Sequence, residues 1–198
     1  VKLQTRSPRS VLDYGSGTGA LKQLLPRGVL YHGVDIRRHS SYDAEVCNVN
    51  DGFVSRATPG VYDTIFVLGL LEYLCHPVEF LEYVRKFNST VILSYTLDYP
   101  GASALRLANT MPSIALTLGV INAGFQITSQ ENITLNFKEY HLADVPEILL
   151  RLDPVQGSQT LERNSSQLDD RLDSSVRMTE LRDKTAILSD DTLTPFDM

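Results

Sequence analysis

Short apolar runs alternate along the chain with segments whose apolar residues recur at helical spacing, which predicts strand and helix in turn. Val11-Leu12 ends a first apolar run, and Ala20, Leu21, Leu24 and Leu25 follow at helical spacing until Pro26 stops the helix. Val29 to Val34 reads as a second strand and Ala44 to Val49 as a third, while Tyr62 to Leu68 is continuous and apolar, as a central parallel strand should be. His76-Pro77 opens a helix with proline in its favoured first turn, and Phe80, Leu81, Val84 and Phe87 share one face. Thr90 to Tyr95 is a fifth strand. Ala102 to Ala123 is helical in pattern but interrupted at Pro112 and Gly119. Gly124-Phe125 starts a sixth strand over Gln126 to Thr128, and a seventh falls within Ile133 to Tyr140 or Ile148 to Leu152. The alternation predicts an α/β fold with a doubly wound, mostly parallel sheet. Only Ile36 to Asp43 separates the second strand from the third, so the helix expected between them is shortened or missing and the fold is compact.

Composition changes near Asp153, which predicts one domain over residues 1–152 and a polar acidic tail over 153–198. The tail reads as disordered or marginally helical, with a fading heptad at Leu161, Leu168 and Leu172. Its other reading is a partner-binding or dimerising helix with Leu168, Leu172, Val176 and Leu181 as contacts. Residues 1–150 carry 12 basic against 14 acidic side chains and residues 151–198 carry 6 against 10, which leaves no basic face for a nucleic-acid partner. Arg37-Arg38-His39 is the one compact basic cluster, either a solvated loop or a contact for an anionic acceptor or the edge of a cofactor. No apolar run reaches the ~20 residues of a membrane span, and a cytoplasmic location with no membrane contact is the expectation. Cys47 and Cys75 suit core positions rather than a disulfide, and the four histidines lack metal-ligand spacing, so no metal is expected.

The candidate chemistry lies in Asp13-Tyr14-Gly15-Ser16-Gly17-Thr18-Gly19, between the first strand and the first helix. Three glycines make a turn with almost no side-chain bulk, so that a ligand can lie directly on backbone N–H groups near a helix start. A dinucleotide fingerprint has two residues between its second and third glycines, whereas here there is one. That spacing disfavours a nicotinamide-dependent oxidoreductase. Asp35 at the tip of the second strand can accept both hydroxyls of a ribose, one on each carboxylate oxygen.

The glycine loop with its preceding acid, together with Asp35, resembles motif I and the second-strand acid of class I S-adenosylmethionine-dependent methyltransferases, closest in style to the methyltransferase-type-11 and methionine-biosynthesis-W-like proteins. The resemblance implies a Rossmann-like sheet of seven strands, the last antiparallel and forming a hairpin with the sixth. It implies S-adenosylmethionine as cofactor, held by Asp13, Gly15, Ser16, Gly17, Gly19, Asp35, Ile36, Asn48, Val49 and Leu68. Asp13 and loop carbonyls would take the ammonium, Asp35 the ribose, and Asn48 the adenine amino group where the family has an acid, with Asp51 the alternative. The implied reaction is in-line methyl transfer to a small-molecule acceptor. Glu72-Tyr73 stands where many relatives carry Glu-His; the candidate bases are Glu72, His76 and Asp98, then Tyr95 and His141, and Arg106, Asn109 and Met111 are candidates for the acceptor pocket. The competing reading is a catalytically inactive regulatory or partner-binding subunit that keeps the fold, with the tail as a contact for a protein partner or a dimer.

Overall fold

A computed structural model describes residues 7–39, 42–52, 55–97, 111–137 and 142–156. Seven strands form one sheet in the order β3-β2-β1-β4-β5-β7-β6. The central run is parallel: β1 (Ser10–Tyr14) lies between β2 (Leu30–Asp35) and β4 (Thr64–Val67), β3 (Glu45–Val46) flanks β2, and β5 (Thr90–Thr96) flanks β4. β7 (Leu142–Pro154) runs antiparallel to both β5 and β6 (Phe125–Phe137). This is the seven-stranded, mostly parallel Rossmann-like sheet with an antiparallel hairpin at one edge that the resemblance implied.

Side chains alternate across the sheet, and the two faces differ in depth. On one face Leu12, Tyr14, Ile65, Val67, Val91 and Leu93 belong to the main core. Helix α2 (Pro77–Arg85) sets Phe80, Leu81 and Val84 on it, and α3 (Ser113–Asn122) adds Leu116 and Val120. On the other face Val11, Phe66, Ile92 and Leu149 form a smaller cluster, against which Leu21 of the five-residue α1 (Ala20–Leu24) and Leu25 pack.

Several boundaries differ from the sequence expectation. β6 is 13 residues long rather than confined to Gln126–Thr128, and both candidate regions for the seventh strand belong to the hairpin: Ile133 to Phe137 is in β6 and Ile148 to Leu152 in β7. β3 has two residues, because only Val34 and Asp35 of β2 lie opposite it. Pro112 stands at the N-cap position of α3, where the pattern places an interruption, and residues 102–110 before it lie outside the described residues. Gly119 lies inside α3 and is buried; a Cβ there would stand 3.1 Å from Val78 Cγ2, so the missing side chain lets α3 approach α2. Among the described residues no helix joins β2 to β3. Asp98, Arg106, Asn109, His141 and the tail beyond residue 156 lie outside the described residues.

Candidate cofactor site

β1 delivers the glycine loop to the carboxyl edge of the parallel strands, where ligands of such sheets sit. Gly15, Gly17 and Gly19 adopt φ of 73°, 52° and 78°, a left-handed conformation that a Cβ would strain. The loop is sewn to β2: Gly15 N and Ser16 N donate to Val34 O at 2.9 and 3.2 Å, and Gly17 N donates to Asp35 Oδ2 at 2.8 Å. Gly19 N donates to Ser16 O at 3.0 Å. The expected bed of free loop N–H groups is therefore not present; all three glycine amides and that of Ser16 already have protein acceptors. The glycines also serve neighbours other than a ligand. A Cβ on Gly15 would meet Leu70 at 3.2 Å, one on Gly19 would meet the Tyr42 ring at 2.6 Å, and one on Gly17 would meet nothing within 4 Å.

Beside the loop is a cavity of about 340 Å³. Five of the ten expected cofactor residues line it: Gly15, Asp35, Ile36, Asn48 and Val49. Its far wall is the segment after β4, with Gly69, Leu70, Tyr73 and Leu74, and Cys47 and Asn50 complete the near wall. Asp13, Ser16, Gly17, Gly19 and Leu68 do not line it. Asp13 and Ser16 are buried, and Leu68 packs against the smaller core cluster.

Asp35 is the best-connected group at the cavity. Oδ2 accepts from Gly17 N, and Oδ1 accepts from Arg37 N at 3.0 Å and lies 3.5 Å from His39 Nε2. Asn48 caps the 3₁₀ turn Val49–Asp51, its Oδ1 accepting from Asn50 N at 3.2 Å. Asn50 then ties the two walls together: Nδ2 donates to Tyr73 O at 3.1 Å and Oδ1 accepts from Cys75 N at 2.9 Å. Behind the near wall His32 bridges Tyr62 Oη (2.6 Å) and Glu45 Oε2 (2.8 Å), while Glu45 Oε1 accepts from Arg56 N at 2.7 Å. This network holds the two-residue β3 in place.

Burial governs the electrostatics. Asp13 is 3% exposed and its carboxyl is pushed up to about 6; burial is the main cause, the charge of Asp35 adds to it, and the Tyr31 hydroxyl, donating to Oδ2 at 2.5 Å, opposes it. Burial also raises the Cys47 thiol, with the charges of Glu45 and Asp51 adding to the effect.

Of the candidate bases, Glu72 is 1% exposed and does not line the cavity. Its Oε1 accepts from Thr96 N at 2.5 Å, and among the described residues its Oε2 has no hydrogen-bond partner. Burial, helped by the charge of Glu147 and opposed by bonds from Thr96, raises its carboxyl. Tyr95 is buried in the main core. His76 precedes α2 on the surface, 3.7 Å from Glu79. Met111 packs partly buried against the main core.

Sequence reasoning missed Tyr42, Tyr31 and Asn50. No local signal marks them, since each acts across a long loop or between strands.

No family profile and no curated protein matches the sequence. Solved structures do match. A 1,6-didemethyltoxoflavin N1-methyltransferase of Burkholderia thailandensis, with bound 1,6-didemethyltoxoflavin and S-adenosylhomocysteine, aligns at a TM-score of 0.60 and 14% identity, covering 76% of this chain and 72% of that one. The fold is that of the class I methyltransferases. An S-adenosylmethionine-dependent methyltransferase of Methanosarcina mazei aligns at 0.59 and 12% identity over 76% of this chain and 94% of that one. The magnesium protoporphyrin IX methyltransferase of Synechocystis, with bound S-adenosylhomocysteine, aligns at 0.55 and 16% identity over 73% of each chain. Among the described residues no helix is long and apolar enough to cross a membrane, and no group of side chains is placed to hold a metal ion.

Proposed function

We propose that this chain is an S-adenosylmethionine-dependent methyltransferase acting on a small-molecule acceptor. The observation that carries the reading is the cavity, bounded by a glycine loop on one side and an acid at the tip of β2 on another. Its volume falls within the ~300–1,000 Å³ of cofactor and small-molecule sites. The residues present suit the cofactor's chemistry. Asp35 keeps acceptor capacity on both oxygens for the two ribose hydroxyls. Ile36, Val49, Leu70 and Leu74 offer apolar surface to a purine, and the second lone pair of Asn48 Oδ1 faces no other described donor. The neighbours bound to S-adenosylhomocysteine support the same cofactor.

The cofactor supplies a methyl group already activated by a positively charged sulfur. The chain's own task is to hold the two partners aligned and exclude water, for which effective molarity supplies ~7–11 kcal/mol. No base among the described candidates lines the cavity, which suits an acceptor that is itself unprotonated and nucleophilic at neutral pH, such as a neutral ring nitrogen.

The test is incubation with methyl-labelled S-adenosylmethionine and a fractionated small-molecule extract. Label is expected in a small-molecule fraction with the wild-type chain and not with Asp35→Ala. The placement of Glu72 and Tyr95 away from the cavity favours a second reading, a partner-binding subunit that keeps the fold. Binding of the cofactor without transfer to any fraction would favour that one.

A further inference from the structure

The segment between β2 and β3 stands where a doubly wound fold has a covering helix, and what it supplies instead is two side chains that contact Asp35 and the glycine loop. His39 and Tyr42 face each other across an isolated antiparallel bridge. His39 Nε2 lies 3.5 Å from Asp35 Oδ1, and the Tyr42 hydroxyl donates to Ser16 Oγ inside the glycine loop. Ser16 Oγ in turn donates to Val34 O at 3.3 Å. The Tyr42 ring lies edge-on to Tyr31, with centroids 6.1 Å apart, and Lys22 Nζ sits 5.6 Å from its centre.

Gly33 shows that the chain is built around this tyrosine. It lies inside β2, where glycine weakens a strand and marks a close approach by another group. Its φ is not positive, so backbone conformation does not require glycine there. A Cβ on Gly33 would stand 2.7 Å from Tyr42 Oη and 3.0 Å from Ser16 Oγ, and one on Gly19 would stand 2.6 Å from Tyr42 Cδ1. Two glycines, one of them outside the loop motif, thus leave room for the same ring.

We propose that Tyr42 is a positioning residue for the cofactor: its ring, packed against Gly19 and Gly33 with its hydroxyl on Ser16, braces the glycine loop in the conformation that binds. The inference rests on the methyltransferase reading for its ligand but not for its geometry. A loop with three left-handed glycines samples many shapes when free. The brace removes those alternatives before the ligand arrives, so its loss appears as weaker binding by a smaller competent fraction.

The test uses Tyr42→Phe, Ser16→Ala and the double variant. Phenylalanine keeps the ring and removes only the hydroxyl. Three readouts are taken: thermal midpoint, calorimetric affinity for S-adenosylhomocysteine, and hydrogen exchange at the hydrogen-bonded amides of Gly17 and Gly19 in the free protein. The expected result for Tyr42→Phe is a Kd raised roughly 10-fold, loop exchange faster by a similar factor, and a midpoint within ~2 °C of wild type. The double variant should fall short of the sum of the two single effects, because both remove the Tyr42–Ser16 bond, while Ser16→Ala removes the bond to Val34 O as well. Loop exchange and affinity unchanged in Tyr42→Phe would overturn the proposal, as would losses confined to the thermal midpoint. If the wild type binds no S-adenosylhomocysteine, the cofactor reading fails, and exchange in the free protein still decides the brace.

Discussion

Replacing Asp13 by Asn should stabilise the protein at neutral pH, although it removes a charged group from the heart of the sheet. Asp13 lies on β1 at 3% exposure and accepts a short hydrogen bond from Tyr31 Oη at 2.5 Å. Burial, helped by the charge of Asp35, pushes its carboxyl from 3.8 up to about 6, even with the Tyr31 bond acting in the opposite direction. A raised folded-state pKa means the native chain binds this proton more tightly than the unfolded chain does. The contribution to stability is therefore full below about 4, falls as pH rises through the window between 3.8 and about 6, and is absent above it. A shift of about two units corresponds to roughly 3 kcal/mol. Asn has the shape of the protonated acid and still accepts from Tyr31, so it carries no such loss. Urea denaturation of both proteins between about pH 4 and pH 7.5 reads the difference. The variant should be more stable by ~2–3 kcal/mol at the upper end, and the gap should close toward pH 4. Other raised carboxyls, such as Glu147, act equally in both proteins and cancel. A variant less stable than wild type at pH 7.5, or a gap that does not change with pH, would refute the reasoning.

Glu72→Ala should cost about 3 kcal/mol, because Thr96 N would lose its buried acceptor and the side chain would leave a hole, whereas Glu72→Gln keeps the acceptor and should stay within ~1 kcal/mol; thermal melts distinguish them. Arg85 donates from Nε to Gly124 O at 2.9 Å and from Nη2 to Val155 O at 2.8 Å, tying α2 to the start of β6 and the end of β7. Arg85→Ala should lower stability by about 2 kcal/mol and speed amide exchange at Val155, whose N–H donates to Gly124 O. Asn50→Ala severs the bonds to Tyr73 and Cys75 that hold the two cavity walls together. It should weaken S-adenosylhomocysteine binding ~5- to 10-fold in calorimetry while changing stability by less than ~1 kcal/mol, as expected at an exposed position.

The parts of the fold that were legible in the sequence are those in which the pattern and the packing coincide. β4 and β5 are buried on both faces and carry the apolar runs Ile65 to Val67 and Val91 to Leu93. The outer hairpin is different: β6 is an edge strand whose Gln126, Thr128 and Gln130 face solvent, so its apolar signal is diluted and its length was hidden. β3 failed for a related reason. The apolar stretch Ala44 to Val49 continues past the strand because Val49 turns into the main core from a 3₁₀ turn that Asn48 caps. At the site, Asp35 and the loop glycines were visible because a local motif places them at the strand ends. Tyr42 was not, since its role depends on meeting Gly19 and Gly33 from a separate loop. Gly33 was the trace it left in the sequence, a glycine inside a strand with no turn to explain it. Gly119 is a similar case, where the helical pattern broke at a residue that packing between α2 and α3 requires.

Calorimetric titration of the full chain with S-adenosylhomocysteine, beside Asp35→Ala and with NAD as a control ligand, tests the central claim most directly. Asp35 joins the glycine loop to the cavity through Gly17 N and is the group offered to the ribose. Micromolar binding to the wild type, weakened ~100-fold or more in Asp35→Ala, with no heat from NAD, is the predicted result, since two charge-assisted hydrogen bonds are worth about 3 kcal/mol or more. No binding to a folded wild-type sample, or binding that Asp35→Ala leaves intact, would contradict it.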